Sequence, residues 1–106
     1  MLLADIFHMA KAGDSFDLLS KLRGTDLGLL HVNDYPDVPD VSKLSDAQRV
    51  YPGDGAAPLK QIAHTLKEIG YAGMLSLELF NKEYQKSGAE NVAKTGIQKM
   101  RNVFGF

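Results

Sequence analysis

Cysteine is absent from the chain, which rules out disulfides and thiolate chemistry and suits a cytoplasmic protein. No apolar run approaches the ~20 residues of a membrane span. Met1-Leu2-Leu3-Ala4 meets Asp5 too soon to form a signal peptide. Charge of one sign is also missing: the net charge is −1 and no cluster of Lys and Arg stands out. That argues against a nucleic-acid or membrane-surface partner. At 106 residues the chain is long enough for a single domain, 1–106. It is far short of the about 250 residues of a closed eight-unit β/α barrel.

What is present is an alternation of apolar runs and amphipathic stretches. A first strand over Met1 to Ala4 ends at Asp5. A short helix fits Ser15 to Leu22, capped by Asp14 or Ser15, with Phe16, Leu19 and Leu22 on one side and Gly24 at its end. Leu27 to Val32 is continuously apolar except for His31, as suits a strand buried on both faces. Residues 33–56 carry Pro36, Pro39, Pro52, Gly53 and Gly55 and read as a long irregular stretch, of a length that is usually functional or disordered, with a brief helical possibility at Ser45–Arg49. A second helix places Leu59, Ile62, Ala63, Leu66 and Ile69 on one face, with Pro58 in its first turn, Gly70 at its end and His64 near the edge. Met74 to Phe80 alternates as a strand, with Ser76, Glu78 and Phe80 on one face. A last helix over Ala89–Phe104 aligns Val92, Ala93, Ile97, Met100 and Phe104. The order βαβαβα implies an α/β fold with a parallel sheet and right-handed crossovers.

Ligands of parallel α/β sheets bind at the C-terminal strand ends. Asp5, His31 and Glu78 stand at or near three such ends, each among apolar neighbours. A carboxylate in that setting is protonated, paired or bound to metal. Together the three offer an O, N, O set that suits a divalent metal such as Mn, Zn, Co or Fe(II), and less specifically Mg. Singly, each has a plainer role: Asp5 as a cap, His31 as a satisfied buried histidine, Glu78 as the partner of an arginine. His8 follows Asp5 by three residues and can face the same pocket. Arg49 precedes a Pro/Gly turn that aims it back over the strand ends, where its fork can hold a substrate hydroxyl or phosphate. Asp34 is placed to orient His31 or touch substrate. Glu83 and Tyr84 are weaker candidates.

Asp5-Ile6-Phe7-His8-Met9, Leu30-His31-Val32-Asn33-Asp34, Arg49-Val50-Tyr51-Pro52-Gly53-Asp54-Gly55 and Glu78-Leu79-Phe80-Asn81-Lys82-Glu83-Tyr84 occur in an order and spacing that resembles the xylose-isomerase-like barrels of sugar phosphate isomerases and epimerases. The resemblance covers nearly the whole chain and implies the C-terminal three β/α units of a (β/α)8 TIM barrel. It implies Asp5, His31 and Glu78 as metal ligands, His8 and Arg49 as substrate contacts and Glu78 as the catalytic base. The activity implied is isomerisation or epimerisation of a small-molecule sugar or cyclitol by enediolate proton transfer, assisted by a divalent metal ion. Members of the family use a fourth ligand, a glutamate on the strand before Asp5. With only Met1 to Ala4 ahead of Asp5, the expectation is that this ligand is missing, that the isolated chain is nearly inactive, and that it forms a homo-oligomer or pairs with an N-terminal barrel part. Endonuclease IV-type phosphodiesterases share the His-x-Asn-Asp stretch and are the alternative, as is a silent fragment acting as an oligomerising module.

Overall fold

The computed structural model describes residues 1–105. Its strands are β1 (Leu2–Asp5), β2 (Leu27–Val32) and β3 (Met74–Leu77), and its helices are α1 (Ile6–Lys11), α2 (Leu59–Glu68), α3 (Lys82–Gln85) and α4 (Ala89–Phe104). The strands form one parallel sheet in the order β1-β2-β3. Among the described residues no helix is long and apolar enough to cross a membrane.

The register sets the two faces of the sheet. Asp5 pairs with His31 and His31 with Ser76; one step below, Leu3 pairs with Leu29 and Leu29 with Met74. These residues share one face. Leu30 and Val32 lie on the other, where they are buried with Ile6, Phe7, Leu19, Ile62, Leu66 and Met100. The helices cover that second face alone. Leu3 and Met74 are 59% and 74% exposed on the open face, which a closed barrel would fill.

Several expectations need correction. The first helix is not α-helical: Phe16–Lys21 is a 3-10 helix, with Ser15 accepting from the Asp17 amide. The i, i+3 spacing of Phe16, Leu19 and Leu22 is the period of that tighter helix. A true α-helix, α1, follows β1 without any loop, because Asp5 ends the strand and its carboxylate caps the helix through the His8 amide at 3.1 Å. In α4, Gly96 and Met100 are the buried residues, while Ala93 and Ile97 are exposed beside the uncovered edge of β3. The third strand also stops at Leu77, so Glu78 falls just beyond it, although its amide still donates to the Val32 carbonyl at 3.1 Å. Within the long loop the brief helical turn expected near Ser45–Arg49 is a 3-10 turn over Asp46–Gln48.

Gly24 is required for packing. Its amide donates to the Ile69 carbonyl at 2.8 Å, and a Cβ there would overlap the carbonyl groups of Ile69 and Gly70. Gly24→Ala is expected to cost about 1–3 kcal/mol, since backbone rather than a flexible side chain must give way. An unchanged urea midpoint would disprove this tight contact.

Candidate metal and substrate site

The site is built at the C-terminal ends of β1 and β2 and covered by the loop that carries Arg49. The two oxygens of the Asp5 carboxylate have different surroundings. Oδ1 accepts from the His8 amide at 3.1 Å and from Asn33 Nδ2 at 3.2 Å. Oδ2 faces His31 Nδ1 at 3.3 Å and Arg49 Nη1 at 3.4 Å. The cap on α1 therefore uses one oxygen and leaves the other facing His31 and Arg49.

Arg49 is 2% exposed and sits between the rings of Phe7 and Phe80, at 4.8 and 5.2 Å from their centroids. Nη1 also donates to the Glu78 carbonyl at 3.2 Å. Nη2 donates to Asp46 Oδ1 at 2.9 Å and meets His8 Nε2 at 3.0 Å. A guanidinium has no acceptor, so His8 Nε2 must accept, and the neutral ring carries its proton on Nδ1. Among the described residues, Arg49 Nε is a buried polar atom without a partner. The hydrogen bond from Arg49 also holds the Asp46 carboxyl below the usual carboxylate range. Asp46 stays charged, and the pair intact, until the pH falls below that range.

Several expected residues lie elsewhere or do something else. Asp34 neither orients His31 nor faces the pocket. Its buried carboxylate accepts from the amides of Tyr35 and Ala57 at 2.8 Å each, of Gly53 at 2.9 Å and of Gly55 at 3.1 Å. It folds the Pro/Gly turn, while its backbone exchanges two 3.0 Å hydrogen bonds with Val50 and so sets where Arg49 emerges. His64 is exposed and pairs with Glu68 at 3.0 Å, away from the site. Glu83 is exposed and pairs with Lys86. The Tyr84 ring stacks on Tyr51 with centroids 4.1 Å apart.

Asp5, His31 and Glu78 do not form one group. Among the described residues no three His, Asp or Glu side chains are close enough together to hold a metal. Ser76, not Glu78, stands opposite His31. Glu78 is two residues further along, roughly 6.6 Å. The Asp5 and His31 pair does fit a shared ion. Two donors about 2.1 Å from a tetrahedral ion stand about 3.4 Å apart, and Oδ2 and Nδ1 are 3.3 Å apart.

Asn33, Asn81 and Asp46 were not foreseen as site residues. Asn81 caps α3 and donates to the Arg49 carbonyl at 3.1 Å, tying the segment after β3 to the arginine loop. A polar residue inside an apolar strand end was the one sequence signal for Asn33.

Residues 2–103 match the family model described as the xylose isomerase-like TIM barrel. The chain belongs to that family. Its relatives include the inosose isomerases of Halalkalibacterium halodurans, 42% identical, and of Bacillus subtilis, 37% identical, each alignment covering 89% of this chain. The alignments cover 33% and 34% of those relatives, so the chain spans about a third of their length. Among solved structures, the IOLI protein with a bound zinc atom superposes with a TM-score of 0.90 and 34% identity, over 98% of this chain and 37% of that one. A xylose isomerase domain protein from Alicyclobacillus acidocaldarius superposes with a TM-score of 0.80 and 27% identity, over 97% and 36%. The sheet of this xylose isomerase-like chain is thus a contiguous part of a TIM barrel, opened along both edges.

Proposed function

We propose that this chain forms the C-terminal part of a divalent-metal-dependent isomerase or epimerase of a small sugar or cyclitol, an inosose by analogy with its named relatives. The observation that carries the reading is the Asp5 Oδ2 and His31 Nδ1 pair at neighbouring strand ends. Asp5 and His31 would hold the ion, with Glu78 as a third ligand. The ion would draw electron density from a substrate carbonyl and its neighbouring hydroxyl. Glu78 would take the proton from the carbon beside that carbonyl and return it to the next.

The two-residue advance from the register partner of His31 to Glu78 supports this role. In a barrel of eight strands and shear 8 the register shifts by about one residue per strand. Asp5 on β1 and Glu78 after β3 then come to the same height of a closed barrel. His8 and Arg49 would flank the substrate. We propose further that the bare faces of Leu3 and Met74 are covered by another barrel part or a second copy of the chain. A cytoplasmic setting suits a cysteine-free chain of this kind. The phosphodiesterase alternative is not favoured by the named relatives.

Titration of the chain with zinc or manganese is the test. Binding is expected to be weak and to fall roughly tenfold or more in Asp5→Ala and in His31→Ala, because even outer-shell substitutions cost that much. Affinity unchanged in both variants would sink the ligand assignment. With manganese and an inosose in deuterated water, the chain alone is expected to exchange solvent deuterium far below the ~10 per second of a median enzyme. Turnover at that level would show a proton-transfer group not named here.

A further inference from the structure

We infer that Asn33 is the positioning residue of the site, aiming the Asp5 carboxylate so that Oδ2 alone faces His31. Asn33 is fully buried where β2 ends. Its Oδ1 accepts from the Phe7 amide at 2.8 Å, and its Nδ2 donates to Asp5 Oδ1 at 3.2 Å and to the Glu78 carbonyl at 3.4 Å. The partners determine which end of the carboxamide is which. Phe7 presents only a donor, so the oxygen must face it. Asp5 and Glu78 present only acceptors there, so the NH2 group must face them. One side chain thereby joins the ends of all three strands.

The consequence falls on Asp5. The torsion that turns a carboxylate about its last bond is broad and has no sharp minimum of its own. The His8 amide holds Oδ1 from one side only. Asn33 adds a second donor to the same oxygen from the neighbouring strand, which fixes the plane and leaves Oδ2 towards His31 Nδ1 and Arg49. In the metal-free protein a neutral His31 facing that oxygen carries its proton on Nδ1 and keeps Nε2 bare. A residue that only tied the strand ends together would have no effect on that choice.

The inference rests on reading Asp5 and His31 as the ligand pair, so it is tested without metal or activity. Nitrogen-15 spectra of the imidazole rings, in the full chain with chelator at mildly alkaline pH, report the His31 tautomer. The Nδ1–H form is expected to dominate. Asn33→Leu, close in volume but without donor or acceptor, is expected to lower the Nδ1–H to Nε2–H ratio by about tenfold, the worth of one hydrogen bond to a charged group. An unmoved ratio in a folded variant overturns the inference. Should Asn33→Leu fail to fold, Asp5→Ala offers the reverse view. One of the two Asn33 side-chain amide protons is expected to lose its hydrogen-bonded shift while the other keeps its own. Two unmoved protons would overturn the inference. A shifted tautomer in a chain that binds no zinc would support the positioning role and overturn only the ligand reading. Zinc bound with an unmoved tautomer would do the reverse.

Discussion

Arg49→Met is expected to destabilise the chain by roughly 3–5 kcal/mol, the usual result of removing one partner of a buried ion pair. Asp5 is 6% exposed, and Arg49 is one of its two potentially cationic partners. Methionine fills much of the space between Phe7 and Phe80 but returns no charge to Oδ2 and no donor to the Glu78 carbonyl. The cost comes from a stranded carboxylate more than from lost packing. The double variant Asp5→Asn with Arg49→Met is therefore expected to recover a substantial part of the loss. Urea denaturation of the four proteins in the cycle measures this directly. Strictly additive losses would mean that the two side chains are not coupled across the 3.4 Å that separates them.

A second large effect is expected at Asp34, although it lies outside the pocket. Asp34→Ala removes an acceptor shared by four backbone amides. Hydrogen bonds to charged groups are among the stronger ones, and partial access of water to the turn offsets some of their loss, so a cost of roughly 3 kcal/mol is expected. Hydrogen exchange at Gly53, Gly55 and Ala57 should accelerate strongly. The Arg49 side chain should also lose its fixed position, because the Asp34 and Val50 backbone pairing that precedes the turn holds it there. Unchanged protection at those three amides would refute the role. Gly55 belongs to the same device: a Cβ at that position would collide with the Tyr35 carbonyl and the Asp34 carboxylate.

The sheet was legible because the period-two and continuous apolar patterns of Leu27 to Val32 and Met74 to Leu77 are strong local signals. The helix over Leu59–Glu68 was legible for the same reason, with its apolar stripe ending at a glycine of φ +73°. Helix α1 was not, because six residues carry less than two turns of pattern and its polar members, Asp5 and His8, read as site residues. The candidate ligands could be named from their places at strand ends. Their grouping could not, since it depends on register, and register follows from backbone pairing that no single strand encodes. Asn33 escaped notice because its partners are 26, 28 and 45 residues away. The Pro/Gly turn places Arg49 over the strand ends as its sequence position suggests, but its protein partners there could not be read from the sequence. Its four terminal N–H groups are spent on Asp5, Glu78, Asp46 and His8, partners that lie up to 44 residues away in the chain.

The separation of Asp5 from the guanidinium that neutralises it is 44 residues along the chain. During synthesis at about 5–20 residues per second, that distance is a delay of about 2–9 s. Throughout that interval β1 carries a carboxylate whose arginine has not been made. Burial of the strand is unfavourable until the arginine arrives. Asn81, which latches the loop through the Arg49 carbonyl, comes later still. The pocket is thus closed only after residues as far as Asn81 have been made, well after β1 itself.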